Sequence, residues 1–225
     1  MSATFNLVRY SVLILVIFIV FCLKICFASD DGEFQYWNTE SVSTKLNDDW
    51  KIRLEEELRL GDDGGNLYYQ HSDLGFTYSG LTDWLDLGFN YRQIFEKKSG
   101  EWKEEQRPHL NAVVKWKWLD YGFSNRVRFE YREREDSQDY WRYRNKFTIK
   151  FPLKFSKFEI QPYIADEIFY DFNCEELNRN RFYSGFGLKL LDNLKGEIFF
   201  LWQSSQSNDE WSDIYALGTK LQLTF

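Results

Sequence analysis

Arg126-Val127-Arg128-Phe129-Glu130-Tyr131-Arg132-Glu133-Arg134 changes character at almost every residue. Val127, Phe129 and Tyr131 share one parity, and Arg126, Arg128, Glu130, Arg132 and Arg134 share the other. In an extended strand successive side chains point to opposite faces, so this is a strand with an apolar face and a strongly basic face. The pattern recurs. Trp50, Ile52, Leu54, Leu58 and Leu60 oppose Lys51, Arg53, Glu55, Glu57 and Arg59. Pro108, Leu110, Ala112, Val114 and Trp116 oppose Arg107, His109, Asn111, Lys115 and Lys117. Trp141, Tyr143, Phe147, Ile149 and Phe151 oppose Arg142, Arg144, Lys146, Thr148 and Lys150. Tyr215, Leu217, Leu221, Leu223 and Phe225 oppose Ile214, Ala216, Gly218, Lys220 and Gln222.

Alternation of this kind also describes a soluble antiparallel sheet with one wet face. Segment length argues for a membrane. Strands of about 5–6 residues are usual in soluble proteins, while crossing a bilayer takes about 9–11 tilted residues. Eleven candidates emerge: 34–45, 50–60, 67–78, 83–95, 103–118, 121–133, 139–151, 157–171, 180–190, 194–203 and 211–225. Connections are expected to alternate between short turns (46–49, 79–82, 119–122, 152–157, 191–194) and longer polar loops (61–66, 97–105, 133–139, 173–180, 204–210). Short periplasmic turns and longer outer loops are the habit of outer-membrane barrels. Aromatics collect at segment ends: Trp50, Trp84 and Trp116 beside short turns, Trp141, Trp202 and Trp211 beside long loops. Two such girdles mark the two bilayer interfaces. The expected fold is therefore all-β, an antiparallel up-and-down transmembrane barrel of 10–12 strands. Eleven is an awkward number, since bacterial barrels have an even count. With the C-terminus on the periplasmic side, 34–45 would start outside, so a strand is missed or invented, or the N-terminal segment enters through the lumen. Asp166 also breaks the pattern by pointing to lipid, and a bulge after Pro162 is one way to move it.

The first 28 residues supply the route. Arg9 precedes the apolar run Val12–Leu23, and Ala28 follows a small residue at the −3 position, Cys26. That is a secretory signal peptide, with residues 29–225 as one mature domain. Lys24 interrupts the run short of a membrane-spanning helix. Without the leader 26 basic and 35 acidic residues remain, a net charge of −9, with Cys174 alone and no internal disulfide to form. The 44 aromatics in 225 residues exclude disorder, and a single long apolar run excludes a polytopic helical protein.

Several stretches resemble an uncharacterised bacterial outer-membrane barrel family, catalogued as domain of unknown function 2490. They are Phe34-Gln35-Tyr36-Trp37, Glu55-Glu56-Glu57-Leu58-Arg59, 126–132, Tyr143-Arg144-Asn145, Gln161-Pro162-Tyr163 with Glu167-Ile168-Phe169, and 180–185. The resemblance implies an outer-membrane location in a Gram-negative bacterium, contact with membrane lipid and lipopolysaccharide, and insertion after secretion by the barrel-assembly machinery. It implies no activity. A terminal Phe on an alternating strand resembles the assembly signal of such barrels, here Tyr215, Leu221, Leu223 and Phe225.

The inward face carries the candidate site. A basic wall of Arg107, Lys115, Lys117, Arg126, Arg128, Arg132, Arg142, Arg144 and Lys146 is expected opposite the acids Glu55, Glu57, Glu130, Glu159 and Glu167. Two outcomes stay open: a lumen closed by cross-barrel ion pairs, or a narrow anion-attracting channel. An enzyme of the outer rim acting on lipid or peptide is a further alternative. Only His71 and His109 could serve it, with a possible His71–Asp73 pair, and no nucleophile motif is present, so no catalytic residue is assigned. His71 and Asp73 are too few to hold a metal, and no cofactor is expected. Nucleic acid is excluded because the aromatics and arginines lie on opposite faces. A soluble periplasmic ligand-binding barrel is the remaining alternative.

Overall fold

The computed structural model describes residues 32–62, 65–135, 137–207 and 210–225. The leader and its cleavage point lie outside the described residues. The strands are β1 (Glu33–Lys45), β2 (Trp50–Gly61), β3 (Asn66–Thr82), β4 (Leu85–Lys98), β5 (Glu101–Trp118), β6 (Tyr121–Arg134), β7 (Tyr140–Lys150), β8 (Gln161–Asp171), β9 (Glu176–Lys189), β10 (Leu194–Ser207) and β11 (Glu210–Thr224). Each pairs with its sequence neighbour, and β1 closes on β11 to complete a barrel.

The odd count is real among the described residues. A meander of eleven strands begins and ends in the same direction, so its closing pair must be parallel. The register runs from Glu33↔Ile214 to Ser43↔Thr224, and Phe225 N donates to Ser43 O at 2.9 Å. One seam of the expected antiparallel barrel is therefore parallel. Glu33 stands at one rim, called here the N-terminal rim. Lys45 and Phe225 stand at the other, the C-terminal rim.

Loop lengths differ from the expected alternation. Residues 97–105 are mostly strand, and β4 and β5 meet through Ser99 and Gly100, both at positive φ (50° and 89°). Positive φ at both central positions is the hairpin geometry that matches strand twist. Leu119 and Asp120 do the same between β5 and β6. The longest connection is 151–160, where a short turn was expected. Phe155 and Ile160 bridge there and Lys154 pairs with Glu159, so the segment folds back as a small hairpin. Charged residues continue the strands at the N-terminal rim, where Lys98 and Glu96, two apart on one face of β4, pair at 3.1 Å.

Parity separates the faces along each strand. Leu54, Leu58, Leu74, Phe89, Leu110, Phe129, Ile198, Leu217 and Leu221 are large, apolar and exposed on the outer surface. Trp50 packs on Tyr78 (centroids 4.9 Å), Trp116 stacks on Phe123 (5.5 Å) and Trp141 packs on Tyr131 (5.2 Å). Asp166 keeps its outward parity. The β8–β9 register shifts at Phe169/Tyr170, well after Pro162, so no bulge there rescues it. Asn180 Nδ2 donates to its Oδ1 at 3.0 Å instead.

Inside, the barrel is half apolar. Trp37, Tyr163, Ala165, Tyr183, Phe199, Leu201 and Ala216 form a buried cluster between β8 and β1. Phe199 is register-paired with Gly218 and Gly185. A Cβ on Gly218 would stand 2.0 Å from the Phe199 ring, so the missing side chain is what lets the ring lie across β11.

Candidate functional site

Strands β2 to β8 project carboxylates and guanidinium groups into the lumen from opposite-parity neighbours of the outer leucines and aromatics. Two acids organise the network. Glu130 on β6, fully buried, accepts from Arg142 Nε (2.9 Å) and Nη2 (2.5 Å), Arg144 Nη1 (2.8 Å) and Arg128 Nη1 (3.4 Å). Glu167 on β8 accepts from Arg126 Nη2 (2.6 Å), Arg144 Nη2 (2.7 Å) and Tyr183 Oη (2.9 Å). Arg144 thus bridges the two acids. Arg128 Nε reaches Asn111 Oδ1 at 2.6 Å. Nearer the N-terminal rim, Glu105 receives Arg107 at 2.6 Å and Arg132 at 2.6 Å. Removing charges from water is costly, and guanidinium–carboxylate pairing with every oxygen engaged is the arrangement that offsets it.

A second knot joins β2, β3 and β4. Arg92 Nε donates to Asp73 at 2.7 Å, Asn90 Nδ2 also reaches Asp73 at 2.7 Å, and Arg53 pairs with Glu55 at 3.2 Å. Glu57 holds Arg59 at 2.6 Å. The two histidines belong to this knot, each 2% exposed. The possible His71–Asp73 pair is not made. His71 Nδ1 meets Tyr69 Oη at 3.1 Å, with Glu55 3.5 Å from Nε2, while Asp73 is the neighbour of His109 Nε2 at 3.6 Å. Ser72 lies on the outer face, bonded to Glu56 at 2.8 Å. Among the described residues no group of three or more His, Cys, Asp and Glu side chains could hold a metal ion.

Three residues of the sequence-derived set sit elsewhere. Glu159 is in the 151–160 hairpin rather than in β8, at φ 45°, because the strand begins only at Gln161. Lys115 is exposed and pairs with Asp86 at 2.7 Å near the C-terminal rim, where Lys117 is also exposed.

The wall from β7 to β11 is different. Arg179 and Arg181 on β9, Lys146 on β7 and Lys220 on β11 form no ion pair among the described residues. Aromatic faces lie beneath them. Arg179 and Arg181 stand over Phe169 (5.7 and 4.9 Å to the centroid), and Arg181 also stands over Trp37 (4.9 Å). Lys146 lies 3.5 Å above Tyr183 and Lys220 5.5 Å from Phe199. The nearby acids are occupied: Glu167 as above, and Glu197, register-paired with Lys220, by Tyr163 Oη at 3.3 Å. Sequence reasoning expected the basic wall on β5 to β7 and did not single out Arg179, Arg181 or Lys220. The only signal was their inward parity on strands poor in acids.

These four cations line a lumen cavity of about 410 Å³ that reaches from Lys98 and Arg134 at the N-terminal rim to Gln222. Gln222 also borders a second cavity of about 500 Å³ at the C-terminal rim, beside Lys150, Lys154 and Glu159.

The model of the family described as "Protein of unknown function (DUF2490)" matches residues 34–213. Among solved structures the chain is similar to the NanC porin in its rhombohedral crystal form, with TM-score 0.52 and 9% identity over 84% of this chain and 98% of that one. At that identity the likeness is one of fold, a porin-like barrel. No curated protein matches the sequence.

Proposed function

We propose that this chain, which belongs to the protein family of unknown function DUF2490, is an outer-membrane barrel with a narrow, anion-selective lumen. The observation that carries the reading is the wall of four lumen cations without carboxylate partners among the described residues, bordering a cavity that shares Gln222 with a second one. Uncompensated positive charge in a low-dielectric wall draws anions and repels cations. The pairs around Glu130 and Glu167 narrow the lumen beside that wall. Eleven strands also fall between small barrels filled by side chains and wide porins of 16–18 strands.

The exterior supports the membrane part. Large exposed leucines and aromatics on most strands suit hydrocarbon and would make a soluble barrel aggregate. Trp50, Trp84 and Trp116 toward one rim, and Trp141, Trp202 and Trp211 toward the other, suit two headgroup belts. Export by the leader, contact with lipid and lipopolysaccharide, and recognition of Tyr215, Leu221, Leu223 and Phe225 by the assembly machinery complete the reading. Neither histidine is assigned a catalytic role, each being buried among ion pairs. Fractionation should recover the protein only with detergent, whereas a soluble periplasmic barrel would be released without it.

Planar-bilayer recording of the refolded protein tests the channel. Small steps with chloride favoured over potassium are expected, and selectivity should fall when Lys146 and Lys220 are both replaced by Gln. Cation-selective current, or no current at all, overturns the channel.

A further inference from the structure

The geometry points to a binding site for a divalent tetrahedral oxyanion, phosphate or the phosphoryl group of a small ester, at Arg179 and Arg181. The inference rests on the anion-attracting lumen and gives it a specific ligand. Phe169, 1% exposed, carries both guanidinium groups over its ring. Stacking on aromatics occupies a guanidinium's face and leaves its N–H edge free. Arg181 is 6% exposed, and its Nε is already held by Gln203 Oε1 at 2.6 Å. Its two Nη groups have no acceptor among the described residues, and Arg179 has none at all. Arg179 is partly exposed, and both residues border the 410 Å³ cavity, so these N–H groups face space that an anion can enter.

Shape and charge select the ligand class. A guanidinium fork matches two oxygens of one anion. Two forks over one ring can share a tetrahedral anion that offers three or four oxygens, while a carboxylate offers only two. A halide supplies no fork geometry. Arg142 and Arg144 also face Phe169 (5.4 and 4.5 Å), but they are paired with Glu130 and Glu167. Among the described residues, the guanidinium groups over this ring without a carboxylate partner are those of Arg179 and Arg181. The rigid aromatic floor holds both in place before a ligand arrives, which lowers the ordering cost of binding.

Titration calorimetry of the detergent-solubilised protein at constant ionic strength tests the site, with inorganic phosphate, pyrophosphate and glycerol 3-phosphate as probes and acetate as the comparison. Saturable one-to-one binding of at least one phosphate probe is expected, at least tenfold tighter than acetate. A phosphomonoester that binds more tightly than free phosphate would identify an ester as the source, and the reverse would identify the free ion. Arg179→Gln and Arg181→Gln should each weaken binding by tenfold or more, and Lys154→Gln in the 151–160 hairpin should leave it unchanged. Arg179 has no hydrogen-bond partner among the described residues, so its variant tests the site even if Arg181→Gln fails to fold. No saturable binding by any phosphate probe, or binding that Arg179→Gln leaves unaltered, overturns the site. Anion-selective current without saturable binding would overturn the site alone, and binding without current would overturn the channel alone.

Discussion

Arg142 and Glu130 are joined by two hydrogen bonds to a single carboxylate oxygen, from Nε at 2.9 Å and Nη2 at 2.5 Å. The other oxygen of Glu130 serves Arg144 and Arg128. One acid therefore serves three guanidinium groups on β6 and β7. Glu130→Gln should remove the negative charge they share and cost about 3–5 kcal/mol. The measurement is urea unfolding of the refolded barrel. A lower midpoint at an unchanged slope is expected, and an unchanged midpoint would mean that the network contributes nothing to stability.

Gly218 is required by the ring of Phe199, which occupies the space a Cβ would need. Gly218→Ala should cost about 1–3 kcal/mol by overpacking. Combined with Phe199→Ala, the same change should cost less than the sum of the two, because the clash disappears. Strict additivity in a double-mutant cycle would refute the packing account.

The parallel β1–β11 seam places Glu33 and the 172–175 connection at one rim, and Leu46 at the other. Cys174 is exposed in that connection. In whole cells a membrane-impermeant maleimide should label Cys174. In a Cys174→Ser background it should also label Glu33→Cys, but not Leu46→Cys. Labelling of Glu33→Cys and Leu46→Cys from the same side would rule out eleven strands.

Asp166 points outward with Asn180 as its partner. An acid on a lipid-facing surface is unfavourable by less than the penalty for Arg or Lys, so Asp166→Leu should stabilise the barrel in lipid vesicles by about 1 kcal/mol. Destabilisation on that substitution would place residue 166 outside the hydrocarbon layer.

Much of this architecture was legible in the chain. The parity of Val127, Phe129 and Tyr131 against Arg126, Arg128 and Arg132 is a local property of extended backbone, and it assigned faces correctly on strand after strand. The eleven candidate strands are all present, but their odd count suggested a strand missed or invented, or an N-terminal segment in the lumen, rather than the parallel closure that the structure makes. Connection lengths were not legible. Polar composition suggested a loop at 97–105, but the β4–β5 ladder continues to Lys98↔Glu101, while 151–160, with its Lys154–Glu159 pair, is a longer connection than expected.

The candidate site was half legible. Inward parity identified the arginines of β5 to β7, and their richness suggested an open basic wall. Yet those are the ones paired with acids, and Arg179, Arg181 and Lys220 on acid-poor strands were not singled out. Alone, the sequence determined the barrel and the alternation of its strand faces, because alternation acts over two residues. Only the tertiary structure decided which of those charges are paired. Arg126 meets Glu167 across 41 residues of chain, and such a contact depends on closure, register and rotamer together rather than on any local pattern.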